Sequence, residues 1–144
     1  MKTFLQLVYL SILSFASVAY AEIQTQEIDY TQNGTTLKGY LAYDDAIKGK
    51  RPGILVVHEW WGHNEHARDR ARMLAQIGYT ALAVDMYGNG KTADHPKKAG
   101  EFMNAAFKDW KTSKARFNKA KEVLQAHKTV DSKRIGAIGF CFGG

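Results

Sequence analysis

GFCFGG, at residues 139–144, follows directly on the short apolar run KRIGAI of residues 133–138. Together they predict a buried strand, a sharp turn that carries Cys141, and the start of a helix. The spacing G-x-C-x-G is that of a nucleophile elbow, in which the residues two before and two after the nucleophile must lack a side chain so that the turn can close. Gly139 and Gly143 meet this requirement. The alternative is an ordinary turn in which Cys141 is a small core residue.

Two runs of roughly alternating polar and apolar residues, 24–30 and 35–43, lie near the start of the chain. Asn33-Gly34 stands between them, and this dipeptide strongly favours a two-residue hairpin turn. We therefore expect two antiparallel strands here, followed by a polar loop at residues 44–51.

A continuous apolar run at residues 54–58 is typical of a strand buried on both faces of a sheet. A helical pattern begins near Asn64 and ends at Gly78, and residues 79–85 form a second apolar run. Strand, helix and strand within about 30 residues have the size of a βαβ crossover.

A long helical pattern occupies residues 96–128, with a break predicted at 107–110. The run at 135–140 then predicts a third parallel strand. Strands alternating with helices after an initial hairpin indicate an α/β sheet with helices on both faces.

Residues 1–21 have the pattern of a cleaved export signal. Lys2 gives a minimal basic start, residues 4–18 are mostly apolar and uncharged, and AYA at 19–21 has the small-x-small form of a signal-peptidase site. An uncleaved membrane anchor is the alternative, but polar residues dilute the apolar run. We therefore expect an exported protein, periplasmic or secreted, with no stable membrane anchor after cleavage.

The chain has 20 Lys and Arg against 14 Asp and Glu, a formal net charge of +6. The basic excess lies mainly in residues 91–133, where acidic residues interrupt it. Nucleic-acid binding usually combines clustered basic residues with a recognisable motif, and the sequence has no such motif. We interpret the excess as a solvated helix face and expect no nucleic-acid partner.

Cys141 is the only cysteine, so an internal disulfide is excluded. Its sulfur therefore forms an intermolecular disulfide, or belongs to a buried and inert thiol, or belongs to a reactive thiol. A thiol at a helix N-terminus and at the carboxyl end of a central strand gains thiolate character and faces the crevice where α/β sheets bind ligands. Its position favours reactivity, in an enzyme or, as a weaker alternative, in a redox sensor.

A second group of chemical interest, HEWWG at residues 58–62, follows the first buried strand. In this architecture such a loop donates one backbone N–H group to an oxyanion hole, and the residue after the nucleophile, Phe142, donates the other. Glu59 would lie at the mouth of the same crevice, close enough to take up or hold the thiol proton. Trp60 and Trp61 would form the wall of the pocket. The alternatives are a solvated carboxylate and tryptophans that only pack.

Three blocks of sequence, in this order, resemble the dienelactone hydrolase family of α/β-hydrolases: residues 54–62 (ILVVHEWWG), 78–87 (GYTALAVDMY) and 134–144 (RIGAIGFCFGG). They span nearly the whole chain after the signal. The resemblance implies an α/β-hydrolase fold built from an N-terminal hairpin and parallel βαβ units. It also implies hydrolysis of a small carboxylic ester or lactone, as by a carboxymethylenebutenolidase.

The catalytic triad of that family is Cys, Asp and His, and a glutamate in the loop after the early strand interacts with the resting thiol. The resemblance therefore implies that Cys141 is the nucleophile and that Glu59 is this glutamate. It assigns the backbone N–H groups of Trp60 and Phe142 to the oxyanion hole. The triad Asp and His follow the elbow in chain order, whereas all five histidines here precede it.

The substrate pocket departs from the family pattern. In the best-known members an arginine shortly after an Asp-x-Tyr strand end helps to bind a substrate carboxylate. Asn89 stands about where that arginine would fall, with Lys91 nearby as a cruder anion partner and Trp61 at the pocket wall. This departure speaks against specificity for dienelactone itself.

The signal pattern and the resemblance together divide the chain into a signal peptide, 1–21, and the N-terminal part of a dienelactone hydrolase-like domain, 22–144, with the fold truncated after the nucleophile strand. We expect the front part of a longer protein, inactive and weakly folded alone, with an unpaired apolar strand edge. The full-length protein would be a monomer, and neither a metal-ligand cluster nor a phosphate loop calls for a cofactor. The competing hypothesis is a non-catalytic fragment or exported binding protein that keeps the front half of the fold.

Overall fold

The computed structural model describes residues 22–144, so the signal peptide predicted for residues 1–21 lies outside the described residues. The strands are β1 (Ile23–Gln32), β2 (Thr35–Asp44), β3 (Arg51–Val57), β4 (Thr80–Val84) and β5 (Val130–Gly139). The helices are α1 (Glu65–Gln76), α2 (Pro96–Lys108) and α3 (Trp110–Ala126), and a 3₁₀ turn, Cys141–Gly143, follows β5.

The five strands form one mixed sheet in the order β1-β2-β4-β3-β5. β2 pairs antiparallel with both β1 and β4, whereas β3 pairs in parallel with both β4 and β5. The prediction of an N-terminal hairpin followed by parallel βαβ units is confirmed. The carboxyl ends of β3, β4 and β5 therefore meet at one edge of the sheet, where open α/β sheets bind ligands.

The hairpin turn has the backbone conformation that its sequence predicts. Asn33 and Gly34 have φ angles of 45° and 76°, both in the left-handed region. A two-residue turn with two positive φ angles is of type I′, and its twist matches that of the flanking strands. β1 and β2 consequently stay in register over their whole length, from Gln32 opposite Thr35 to Ile23 opposite Asp44.

One face of the sheet is covered by α1 through small side chains. Ala67, Ala71 and Ala75 lie on one side of the helix and are buried. They pack with Ala81 and Ala83 of β4 in one apolar cluster. Alanines on both surfaces allow the helix to approach the sheet closely, which leaves little room for larger side chains.

The other face is covered by α2 and α3, which bury larger side chains. Leu124 of α3 packs in a cluster with Leu55 and Leu82 of the sheet. The predicted break between the helices is confirmed at Asp109, whose side chain accepts a hydrogen bond of 3.0 Å from the backbone N–H of Thr112. Asp109 thus caps the N-terminus of α3.

Two strands begin earlier than the apolar runs predict. β3 begins at Arg51, and the expected loop at 44–51 is shorter because the buried Arg51 guanidinium donates hydrogen bonds to the carbonyl oxygens of Asp44 and Ile47. β5 begins at Val130 and pairs there with Arg51. These extensions depend on contacts between distant segments.

β5 lies at one end of the sheet, and its outer side has no strand partner within residues 22–144. Ile138 of this strand is 39% exposed. The described residues thus have the open apolar edge that the sequence analysis expects.

Candidate active site

Cys141 occupies a strained turn at the carboxyl end of β5. Its φ angle is 53°, in the left-handed region that residues with a side chain rarely adopt, and its side chain is exposed. A β-carbon built on Gly139 would lie 1.6 Å from the carbonyl oxygen of Gly143. The turn therefore closes only when residue 139 has no side chain, as the elbow motif requires. The predicted helix start is represented by the 3₁₀ turn Cys141–Gly143.

The elbow lies directly against the end of β3. A β-carbon on Gly143 would lie 2.7 Å from Cγ1 of Val57 and 2.9 Å from the carbonyl oxygen of His58. Gly139 pairs with Val57 in the parallel ladder. The structure thus brings the turn of Cys141 beside the loop that begins at His58, two segments more than 80 residues apart in the chain.

Glu59 is half-buried in that loop. Within residues 22–144 its carboxylate makes no hydrogen bond, either to the thiol of Cys141 or to another group. Its interaction with the thiol stays a prediction, although both residues belong to adjoining loops.

The two adjoining loops each contain a backbone N–H group that is not used within the described residues. Among residues 22–144, the N–H groups of Trp60 and Phe142 donate no hydrogen bond. The peptide groups on both sides of Trp60 are fixed, because Glu59 O accepts from Gly62 N at 3.2 Å and Trp60 O accepts from the hydroxyl of Tyr87 at 3.0 Å. In the peptide group before Phe142, Cys141 O accepts from Gly144 N at 3.1 Å. Donors held in this way are suited to an oxyanion hole.

His58 connects the loops after β3 and β4. It is 1% exposed, its Nδ1 lies 2.5 Å from Glu59 O, and the backbone N–H of Met86 donates to its Nε2 at 3.2 Å. Burial lowers the pKa of His58, and Glu59 O and Asp85 oppose this shift. His58 is therefore a neutral structural imidazole.

Tyr87 also contacts the elbow. Its ring centroid lies 5.3 Å from that of Phe142 and 4.7 Å from that of His58. Burial raises the pKa of Tyr87, and the nearby charge of Cys141 raises it further. Its hydroxyl is therefore a hydrogen-bond donor at neutral pH, and it holds the carbonyl of Trp60.

Asp85, at the end of β4, organises the loop that carries Tyr87. Its buried carboxylate accepts four backbone hydrogen bonds: from Tyr87 N and Gly88 N at one oxygen, and from Gly90 N and Lys38 N at the other, at 2.8–3.2 Å. A carboxylate with four N–H donors is well satisfied despite its burial. Asp85 therefore joins this loop to the hairpin.

The sequence profile of the dienelactone hydrolase family matches residues 37–144. This chain belongs to the dienelactone hydrolase family. It is 33% identical over 123 residues to protein usf of Aquifex pyrophilus and 32% identical over 123 residues to the "Putative carboxymethylenebutenolidase" of Aquifex aeolicus, covering 83% of this chain and 52% of each relative.

Solved structures place the fold in the same family. The structure titled m3DLH is 41% identical with a TM-score of 0.80, covering 84% of this chain and 50% of that one. A dienelactone hydrolase-like promiscuous phosphotriesterase from metagenomic libraries is 35% identical with a TM-score of 0.81, covering 86% and 51%. This member of the dienelactone hydrolase family thus spans about half the length of the relatives it matches.

The three residues assigned to the substrate pocket of this dienelactone hydrolase family member lie in different local surroundings. Asn89 lines a polar cleft of about 400 Å³ beside the hairpin, and Lys91 lines a separate cavity of about 180 Å³ next to Phe102. The ring of Trp61 packs against that of Trp60 with a centroid distance of 5.0 Å. Their assignment to one substrate pocket stays a prediction.

Within residues 22–144, no three His, Cys, Asp or Glu side chains come together as metal ligands, and none of the helices described there is both long and apolar enough to cross a bilayer. His95 caps α2 and His127 contacts Thr129, so both have local structural contacts.

Sequence reasoning did not assign functional roles to Tyr87 and Asp85. Both stand in the Asp-x-Tyr sequence at the end of β4. A polar pair at the carboxyl end of a parallel strand, next to the loops of a candidate site, is a signal that could have identified them.

His63 is a buried histidine whose protonation is expected to oppose folding. It is 3% exposed, and neither ring nitrogen has a hydrogen-bond partner among residues 22–144. Burial lowers its pKa from 6.5 to about 4, and the charge of Arg68 contributes. Because the folded-state pKa lies below the unfolded one, neutral His63 favours folding above pH 6.5, and this contribution is lost as the pH falls towards 4.

We expect the free energy of unfolding to fall by up to about 3 kcal/mol across this range on account of His63. Urea denaturation at several pH values measures it. His63→Phe should flatten the pH dependence, whereas His95→Asn, at an exposed helix cap, should leave it unchanged. An equal pH dependence in His63→Phe and the wild type would contradict the prediction.

Proposed function

We propose that this protein is a hydrolase that cleaves a small carboxylic ester or lactone with Cys141 as the nucleophile. The observation that carries the proposal is the exposed thiol at a positive φ angle, in a turn that Gly139 and Gly143 allow and that adjoins the loop beginning at His58. Within residues 22–144 the N–H groups of Phe142, in this turn, and of Trp60, in that loop, have no acceptor. Membership of the dienelactone hydrolase family supports it.

In this proposal the thiolate sulfur of Cys141 forms a bond to the substrate carbonyl carbon. The electron pair of the carbonyl bond moves to oxygen, and the N–H groups of Trp60 and Phe142 stabilise that oxyanion. The intermediate collapses to a thioester and releases the alcohol, which takes up a proton; in a lactone the alcohol stays attached. Water then hydrolyses the thioester, which gives the carboxylic acid and restores the thiol.

The proton transfers need a base near the thiol. In family order this base is a histidine that follows the elbow, held by an Asp. Both ring nitrogens of His58 are engaged in hydrogen bonds, so His58 is not suited to this task. Glu59 would hold the resting thiol proton.

The protein produced from its complete gene tests the proposal. We expect it to hydrolyse p-nitrophenyl acetate and an unsubstituted small lactone, and acid quenching should trap an acetyl group on the peptide that contains Cys141, detectable by mass spectrometry. Iodoacetamide should abolish turnover. Ester turnover that survives complete alkylation of the thiol would overturn the assignment.

Glu59→Gln tests the proton-holding role. Because glutamine cannot accept the thiol proton, we expect slower hydrolysis and an altered dependence of kcat/KM on pH, while the protein stays folded. Glu101→Gln, an exposed position on α2, is the matched control. A Glu59→Gln profile that coincides with the wild type would reduce Glu59 to a loop residue.

A further inference from the structure

We propose that His58 is a positioning residue that orients both backbone donors of the oxyanion hole. The inference rests on the proposed function, since it gives His58 a role in the same reaction. His58 touches neither the thiol nor a reacting atom in this role. It acts through the peptide unit that joins Glu59 and Trp60 and through the ring of Phe142.

Two hydrogen bonds orient the peptide unit that joins Glu59 and Trp60. A trans peptide is planar, so the direction of its C=O group fixes the opposite direction of its N–H group. The carbonyl oxygen of Glu59 is held from two sides, by His58 Nδ1 at 2.5 Å and by Gly62 N at 3.2 Å. Holding this oxygen therefore aims the N–H group of Trp60, the first proposed oxyanion donor.

The hydrogen bonds of His58 determine its tautomer. A carbonyl oxygen can only accept, so Nδ1 must carry the proton that bonds to Glu59 O. The backbone N–H of Met86 donates to Nε2 at 3.2 Å, so Nε2 carries none. The ring is thus the neutral Nδ1–H tautomer. Burial, which lowers the pKa of His58, favours the same neutral form.

His58 also contacts Phe142, the residue that carries the second proposed donor. The rings of His58 and Phe142 are stacked, with centroids 5.7 Å apart and planes at 17°. Tyr87 contacts both rings and bonds to the carbonyl of Trp60. The residue that carries the second N–H group therefore packs on the imidazole that orients the first.

The test compares two variants in the protein produced from its complete gene. Asparagine can place an amide N–H near Nδ1, whereas glutamine reaches towards Nε2 and leaves Glu59 O without this donor. We expect His58→Gln to lower kcat for p-nitrophenyl acetate about 30-fold with little change in KM, since loss of a whole oxyanion donor costs about 100-fold or more. His58→Asn should retain a larger kcat than His58→Gln.

The rate of Cys141 alkylation by iodoacetamide separates positioning from general damage. Alkylation forms no oxyanion, so we expect the rate to stay within about twofold of the wild type in both variants while hydrolysis falls. His95→Asn is the control, because asparagine is a good helix cap at this exposed position. Wild-type kcat in both His58 variants, or a proportional loss of alkylation and hydrolysis, would overturn the inference.

Nitrogen-15 NMR of the wild type gives a result that does not depend on activity. We expect the chemical shifts of His58 to show a protonated Nδ1 and an unprotonated Nε2 at neutral pH. An Nε2–H tautomer in an active wild type would overturn the role of His58 alone. Absence of ester turnover in the wild type would instead overturn the proposed function, together with the catalytic part of this inference.

Discussion

Cys141→Ala is expected to lower kcat for an activated ester by about 10⁴-fold or more, because removing the nucleophile of a covalent mechanism leaves only substrate binding and the oxyanion donors. The fold should be unaffected. The thiol is exposed and donates no hydrogen bond within residues 22–144, and alanine places the same β-carbon at the φ angle of 53°.

Initial rates with p-nitrophenyl acetate and thermal unfolding of both proteins measure these two effects. The midpoint of unfolding should change by less than about 3 °C, since surface substitutions usually alter stability by about 0.5 kcal/mol or less. Turnover by Cys141→Ala at a rate near that of the wild type would exclude the thiol as the nucleophile.

Gly139→Ala is expected to prevent the native turn from closing. The new methyl group would lie 1.6 Å from the carbonyl oxygen of Gly143, which is backbone and cannot rotate away. Either the strand end or the elbow must move, and we expect a loss of more than about 4 kcal/mol in the free energy of unfolding, the range of severe backbone clashes. Soluble yield and urea denaturation measure it.

Gly136→Ala is the matched control in the same strand. A β-carbon there would meet only Cδ1 of Ile54, at 3.1 Å, and this methyl group can shift by a small rotation. We expect a change within about 1 kcal/mol, because alanine also lowers the conformational entropy of the unfolded chain. Equal stability of Gly139→Ala and Gly136→Ala would contradict the steric account of the elbow.

Local chemistry explains which parts of the fold the sequence could predict. Asn33-Gly34 determines the hairpin turn because few residues accept two successive positive φ angles. The elbow was recognisable for the same reason, since Gly139 and Gly143 meet a steric demand that is local in sequence. The break at Asp109 also depends on a neighbour, the N–H of Thr112.

The features that could not be predicted depend on partners far along the chain. β3 begins at Arg51 because the guanidinium of this residue bonds to carbonyl groups in the preceding loop, and β5 is extended to pair with it. The tautomer of His58 follows from Met86, 28 residues away. Periodicity and spacing carry no information on such pairings. The sequence could therefore identify HEWWG as part of a candidate active site, but it could not predict the orientation of the peptide bonds in this segment.

The backbone at Asn89 has a consequence for how substrate preference could change in the course of evolution. Its φ angle is 57°, and its N–H group is tied to Thr36 O at 2.7 Å. Asparagine tolerates this conformation, whereas a long side chain such as arginine pays about 1 kcal/mol or more for it. Replacing Asn89 by the arginine of the family pattern would therefore destabilise this loop. On the expectation that Lys91 is an anion partner, binding of anionic substrates would need no left-handed backbone, because Lys91 carries the charge and has no positive φ angle.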